Sequence, residues 1–103
     1  MLSDLKTALT ATGLKFAHFG WSKHPAGDYG VYAEDAANDL GADNVHAEKV
    51  VQGTVDYFTR DDTGAPQTTI EAALEGIPCA WYLNSVQFED DSGYIHYEWV
   101  FEV

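Results

Sequence analysis

The sequence predicts an α+β fold: two layers, with two helices packed on one face of a mostly antiparallel sheet of four to five strands. Three observations support this prediction. Two stretches repeat apolar residues at helical spacing, several short stretches alternate apolar and polar residues, and Gly or Pro separates most of them. The expected order is α-β-β-β-α-β-β. A length of 103 residues is typical of one domain, so we expect residues 1–103 to form a single domain.

The first helix is predicted over residues 2–12, because its apolar residues recur at helical spacing and Gly13 follows as a stop. The residues of this apolar face are Leu2, Leu5, Ala8 and Leu9. Two strands rich in aromatic residues are expected next, over residues 14–21 and 29–34. A turn that contains Pro and Gly separates them.

A long third strand is predicted over residues 47–59, where apolar and polar residues alternate, and Gly53 in its middle predicts a bulge or a bend. The second helix is expected over residues 65–76. Thr68 and Glu71 have the spacing of a capping box, and Pro66 suits a first helical turn. The residues of its apolar stripe are Ile70, Ala73, Leu74 and Ile77.

The end of the chain predicts a hairpin with arms over residues 80–88 and 94–102. The second arm has the most regular alternation in the sequence. One of its faces carries Ile95, Tyr97, Trp99, Phe101 and Val103. We expect that face to cover the core, and the other face to meet water or a partner.

The strongly acidic composition excludes tight binding to nucleic acid. Seventeen acidic residues face five basic ones, for a formal net charge of −12. Such binding needs clustered cations that neutralise phosphates. The basic residues are scattered singly along the chain: Lys6, Lys15, Lys23, Lys49 and Arg60.

The sequence offers no membrane or secretion signal. No apolar run approaches the roughly 20 residues of a membrane span, so we expect no membrane association. The first residues lack the basic and apolar segments of a secretory signal. Cys79 is the only cysteine, which fits folding in a reducing compartment.

No residue pattern predicts catalysis, a metal or a cofactor. The four histidines are not spaced as metal ligands, and the acidic pairs lack the calcium-loop pattern. No phosphate-binding glycine loop or nucleophile elbow is present. Cys79 lies among apolar residues and is interpreted as a small buried side chain. We therefore expect no enzymatic activity.

The aromatic content has two interpretations: most of the rings complete the packing of the sheet, or a subset of them forms a contact surface. Aromatic residues make up 14% of the chain, more than one small core is expected to hide, and they are common at oligomer contacts. The side chains predicted to be exposed or interfacial are Trp21, Tyr29, Tyr32, Tyr82, Tyr94 and His96.

The stretch "YGVYAEDAANDLGADNVHAEKVVQGTVDYFTRDD" resembles the middle of the tail completion proteins of long-tailed bacteriophages and prophages. These proteins are also called tail terminators or tail-to-head joining proteins, and are often labelled minor capsid or minor tail proteins. The matching positions are Val31 and Tyr32, then Ala42, Asp43 and Asn44, then Asp56, Tyr57, Phe58 and Thr59. The helix motif "IEAAL" and the closing strand "YIHYEWVFEV" are also similar. Together the resemblance covers residues 14–103.

The resemblance implies a virion structural protein that is assembled in the bacterial cytoplasm. It implies a homo-oligomeric ring, usually a hexamer, at the head-proximal end of the tail. The ring stops growth of the tail tube and joins the tail to the head. Its partners would be other copies of itself, the tail tube protein and a head–tail connector protein. DNA would pass through the ring without specific binding, which an acidic lumen would favour.

The loop between the second and third strands is predicted to contact a neighbouring subunit or the tail tube. Residues 36–46 are mostly small and acidic, and small residues allow close approach between backbones. A ring needs each subunit to present one surface and to accept a different one. The residues expected at this contact are Asp39, Leu40, Gly41, Ala42, Asp43 and Asn44.

Three alternatives stay open at this point. A role in the head–tail connector is close to the terminator role and is not separated from it by sequence. An acidic DNA mimic that inhibits a DNA-binding protein fits the size and the charge, although the acidic residues concentrate in turns. A small enzyme or ligand-binding domain lacks a recognisable site.

Overall fold

A computed structural model describes residues 2–35 and 50–103 and shows the predicted α+β order. The helices are α1 (Leu2–Ala11) and α2 (Ala65–Glu75). The strands are β1 (Phe16–His18), β2 (Tyr29–Glu34), β3 (Gln52–Thr59), β4 (Ala80–Glu89) and β5 (Tyr94–Glu102). Neither helix in this part of the chain is both long and apolar enough to cross a membrane.

The five strands form one mixed sheet in the order β1-β2-β3-β5-β4. β1 pairs with β2 in parallel, and the other three pairings are antiparallel. Within residues 2–35 and 50–103, the sheet therefore has two free edges, β1 and β4. β1 is much shorter than the predicted strand over residues 14–21, because Phe19 adopts a left-handed backbone conformation directly after His18 and ends the strand.

Both helices pack on the same face of the sheet. The fully buried side chains of α1 are Leu5 and Leu9, and those of α2 are Ile70 and Leu74. They pack against inward-facing residues of the central strands: Tyr32, Val55, Tyr57, Tyr97, Trp99 and Phe101. The predicted core face of the last strand is therefore confirmed. Burial of each large apolar side chain contributes roughly 1.5–3 kcal/mol, so this layer supplies most of the stability.

The start of α2 differs from the predicted capping box. Gly64 is the N-cap residue at φ 85° and has no side chain that could cap the helix. Thr68 lies inside the helix and donates its hydroxyl to the carbonyl of Gly64 at 3.1 Å. Glu71 points toward the core and accepts a hydrogen bond of 3.0 Å from the indole of Trp99. The capping-box prediction was wrong because Pro66 fits the first turn, so the helix begins before Thr68.

The predicted bulge at Gly53 was also wrong. β3 keeps a regular register at Gly53 with both β2 and β5, and the irregularity of the sheet lies in β4 between Leu83 and Ser85. A Cβ atom at Gly53 would overlap the carbonyl oxygen of Ala33 and the ring of Phe101. Glycine is required here because no side chain fits between this carbonyl oxygen and this ring.

Candidate assembly surfaces at the two sheet edges

The edge strand β4 exposes apolar side chains on the helix-bearing face of the sheet. Val86 is 50% exposed and Phe88 is 64% exposed. Both face inward by register, opposite Tyr97 and Ile95, but they lie beyond the helices that cover the core. Natural edge strands are usually protected by Lys, Pro or short length. β4 has ten residues and contains neither Lys nor Pro. Its register shift lies between Leu83 and Ser85, so in the described part of the chain the stretch from Val86 to Phe88 pairs regularly with β5 and has no strand on its other side.

The opposite edge, at β1, holds a cleft between α1 and the sheet. The cleft has a volume of about 370 Å³. Apolar side chains of Leu2, Phe16 and Tyr32 line it, together with the polar Ser3, Lys6, Thr10 and His18. Leu2 and Phe16 are half-buried, so part of each apolar side chain faces solvent. This edge therefore offers an apolar recess with a cationic rim.

Phe19 adds an exposed aromatic ring, carried on a strained backbone, at the end of β1. Its φ of 67° lies in the left-handed region, which is rare for a bulky residue, and its side chain is 65% exposed. The ring stacks on His18 at 4.2 Å between centroids, and His18 stacks in turn on Tyr32 at 4.8 Å. Strain of this kind in an exposed aromatic residue is typical of functional surfaces.

A hydrogen bond of 2.5 Å joins His18 Nε2 to Oε1 of Glu34 and orients the His18 ring. The same bond is the main reason that the pKa of Glu34 lies below its ordinary value. The negative charge of Glu34 is thereby retained beside the β1 edge at mildly acidic pH. Glu34 therefore acts to position the ring that supports Phe19.

The helix-free face of the sheet carries a row of stacked rings. His24, Tyr29, Phe58 and His96 follow one another with centroid separations of 4.2, 4.7 and 4.2 Å. Tyr94 meets the row edge-on and lies under the guanidinium of Arg60, 4.1 Å from its ring centroid. Contacts of this type contribute roughly 0.5–1.5 kcal/mol each, so the row stabilises the sheet itself.

The predicted exposed aromatic set is only partly correct. Tyr82 is 56% exposed, and Trp21, Tyr29 and His96 are half-buried. Tyr32 and Tyr94 are buried. Tyr32 faces the helices, and the loop before β2 covers Tyr94, whose hydroxyl donates 2.9 Å to the carbonyl of Gly27.

The carboxylates of the helix-free face have hydrogen-bond partners. Asp56 accepts a hydrogen bond of 2.7 Å from His96, and Glu98 accepts one of 3.1 Å from Asn84. Glu102 accepts one of 2.9 Å from Gln52. Each of these bonds joins two neighbouring strands. The three carboxylates are therefore engaged within the sheet, unlike a row of free charges that would imitate phosphates.

His96 has two carboxylates beside its ring. Its Nε2 lies 2.7 Å from Asp56 Oδ1, and its Nδ1 lies 3.7 Å from Glu89 Oε2. The hydrogen bond to Asp56 is the main cause that raises the pKa of His96, and partial burial opposes it. The charged form of His96 is therefore favoured in the folded protein.

Residues 2–35 and 50–103 contain no group of three or more His, Cys, Asp or Glu side chains that could hold a metal ion. Cys79 is half-buried at the entry to β4, packs against the core and donates to the carbonyl of Ala80 at 3.3 Å. Burial raises the pKa of its thiol. A raised pKa disfavours the reactive thiolate, so Cys79 is suited to packing.

The residues predicted from sequence to form the subunit contact lie outside the described residues. These are Asp39, Leu40, Gly41, Ala42, Asp43 and Asn44. The exposed apolar residues Phe19, Val86 and Phe88 were not among the predicted contacts. Their signal in the sequence is weak, because Val86 and Phe88 alternate like core residues and only the strand order places them at an edge.

Comparisons with protein-family models and with curated proteins find no match to this chain.

Proposed function

We propose that this protein is a structural assembly protein that forms a hexameric ring at the head-proximal end of a bacteriophage tail. In this proposal the ring stops tail tube growth and joins the tail to the head. The resemblance of residues 14–103 to tail completion proteins supports it. The single structural observation in its favour is that the two free edges of the sheet differ, and both expose apolar side chains.

A ring requires two different contact surfaces on each subunit. A cyclic assembly with more than two subunits uses heterologous contacts, in which each copy presents one surface and accepts another. β4 offers a protruding apolar edge, with Val86 and Phe88 exposed. The β1 edge offers a recess between α1 and the sheet. A single self-complementary patch would instead favour a two-fold dimer.

The DNA-mimic alternative gains less support. A mimic needs carboxylates that are free to replace phosphates along one face. Asp56, Glu98 and Glu102 on the helix-free face are each hydrogen-bonded to a neighbouring side chain. The net charge of −12 serves the ring proposal as well, because an acidic surface gives DNA no place to bind as it passes.

Electron microscopy of particles that lack this protein tests the proposal. A terminator role predicts tail tubes of abnormal length that fail to join heads. A connector role predicts tubes of normal length that stay separate from filled heads. Supplying the wild-type protein in trans should restore joined particles in either case.

Two results would refute the assembly function. One is normal, joined tails in particles without the protein. The other is purified particles in which the protein is absent although tails are complete. Binding to a nuclease or polymerase, with inhibition of its activity, would support the DNA mimic in its place.

A further inference from the structure

The sheet register places the two exposed edges at the same height along the strands. Phe16 in β1 pairs with Gly30, which pairs with Tyr57. Tyr57 pairs with Tyr97, which pairs with Val86 in β4. Phe16 and Val86 are therefore the two ends of one row that crosses all five strands on the helix-bearing face.

A cyclic axis parallel to the strands would bring the ends of this row together. Rotation about such an axis moves a subunit sideways and leaves each row at its height. β1 and β4 run antiparallel to each other, as the four strand pairings require. If Val86 of one copy lies opposite Phe16 of the next, Phe88 therefore lies opposite Leu14.

The side chains at these positions are apolar at both edges. Val86 and Phe88 project from β4 and are half or more exposed. Leu14 and Phe16 are half-buried at the other edge; Phe16 lines the cleft with Leu2, and Leu14 lies outside the cleft lining. Contact between these two pairs of side chains removes apolar surface of both copies from water.

The charges at the two edges are also complementary. Lys6, Lys15 and Lys23 lie on α1 and beside β1, and all three are exposed. No ion pair in the described part of the chain involves any of them. The end of β4 and the turn after it instead carry Glu89, Asp90 and Asp91. Three of the five basic residues of the chain therefore lie on α1 and near β1, together with Asp4 and Glu34, and this edge is where an acidic turn meets most cations.

We infer that the distal half of β4 in one copy docks against the α1–β1 edge of a second copy, with Val86 and Phe88 against Leu14 and Phe16. The acidic residues Glu89–Asp91 then lie on the Lys15 side of the contact. This inference rests on the proposed ring and specifies its subunit contact. The occupant of both surfaces is another copy of this chain, because each edge supplies what the other lacks.

Site-directed cross-linking tests the contact directly. Lys15 and Gln87 are exposed, flank Phe16 and Val86 in sequence, and lie at matching heights. The variant Lys15→Cys/Gln87→Cys, made in a Cys79→Ala background, should give a ladder of dimers, trimers and larger products with a short bis-maleimide. The matched control Lys15→Cys/Thr69→Cys places the second thiol on the exposed side of α2 and should give none.

The single-cysteine variants separate the possible arrangements. Neither Lys15→Cys nor Gln87→Cys alone should cross-link, because a heterologous contact keeps identical residues apart. Strong dimer formation by Gln87→Cys alone would mean a two-fold β4–β4 contact and would overturn the inference. Absence of a ladder from the double variant, both in purified protein and in lysates that contain tails, would overturn it as well.

Light scattering provides a second readout that does not depend on cross-linking. Phe88→Ser should weaken self-association roughly tenfold or more, since a large apolar side chain no longer leaves water. Tyr82→Ser is the matched control: Tyr82 is similarly exposed on the same strand but faces the other side of the sheet. Equal weakening by both substitutions, with far-UV circular dichroism unchanged, would contradict the assigned contact.

The outcomes also separate this contact from the tail function. The wild-type protein could assemble, the Phe88→Ser variant could assemble equally well, and the double-cysteine variant could give no ladder. This result would leave the ring proposal standing and overturn this contact. A ladder in the double variant, together with normal tails in particles without the protein, would establish the contact and refute the tail function.

Discussion

The indole Nε1 of Trp99 donates a hydrogen bond of 3.0 Å to Oε2 of Glu71, which ties the central strand β5 to helix α2. Trp99 is fully buried, so its N–H has no access to water. Loss of the acceptor would leave a buried donor unpaired, at a cost of about 1–3 kcal/mol. We expect Glu71→Ala to lower the free energy of unfolding by that amount, as measured by urea denaturation.

Glu75 provides a matched control for this bond, one turn further along α2. It accepts 2.9 Å from the indole of Trp81, but this bond is exposed to solvent. Water can replace the lost partner there, so Glu75→Ala should cost about 0.5 kcal/mol or less. Equal losses in the two variants would show that burial of the Trp99 bond is unimportant.

The left-handed conformation of Phe19 predicts that, of two variants with a small residue at this position, the glycine variant is more stable than the alanine variant. At φ 67° a residue with a Cβ atom is strained by about 1–2 kcal/mol, and glycine is not. Phe19→Gly should therefore be more stable than Phe19→Ala by about 1 kcal/mol in thermal or urea unfolding. A more stable alanine variant would mean that the backbone at this position relaxes freely.

Gly30 and Phe16 should be strongly coupled, because a Cβ atom at Gly30 would overlap the Phe16 ring. Gly30→Ala alone should cost about 1–3 kcal/mol by overpacking. In a Phe16→Ala background the same substitution should cost much less, which gives a coupling energy of about 1 kcal/mol or more. Urea denaturation of the four proteins of this cycle measures it. Additive effects within about 0.3 kcal/mol would contradict the contact.

His96 predicts a loss of stability as pH rises. The hydrogen bond to Asp56 raises the pKa of His96 in the folded state above its unfolded value of about 6.5. A raised folded pKa contributes stability that is fully present below the unfolded pKa and is lost as pH rises through the folded pKa. The free energy of unfolding should therefore fall as the pH rises above about 6.5 and through the raised folded pKa of His96.

Two variants check that His96 is responsible for this pH dependence. His96→Gln should remove this component, and Asp56→Asn should reduce it by removing the main cause of the raised pKa. His24→Gln is the matched control, since the His24 ring bonds to the backbone carbonyl of Pro25 at 2.7 Å. If the pH dependence of the unfolding free energy survives in His96→Gln and disappears in His24→Gln, then His24 and not His96 is responsible for it.

Most of the secondary structure could be predicted because its signals are local. The bounds of β2 and β5 match the alternation of residues 29–34 and 94–102, and α2 follows the apolar stripe that includes Ile70 and Leu74. The capping box failed because its spacing fits many positions inside a helix. Gly53 was misinterpreted because the reason for that glycine is a carbonyl and a ring that lie far away in sequence.

The candidate surface was much less predictable. The contact predicted over residues 39–44 lies outside the described residues and stays a prediction. Tyr94 was expected to be exposed and is buried, because a loop from the other half of the chain folds over it. Phe88 alternates in the sequence like a core residue, but its side chain is exposed in the structure. For Tyr94 and Phe88, the environment of the side chain depends on which strand or loop lies next to it.

The amino-acid sequence by itself determined the α+β class, the order of the elements and the inward face of β5, because these follow from short-range periodicity. Only the tertiary structure decided that β1 and β4 are the free edges, and that Phe16 and Val86 end the same row. The physical reason is that strand pairing joins residues distant in sequence. An edge is defined by the neighbour that a strand lacks, which no local pattern records.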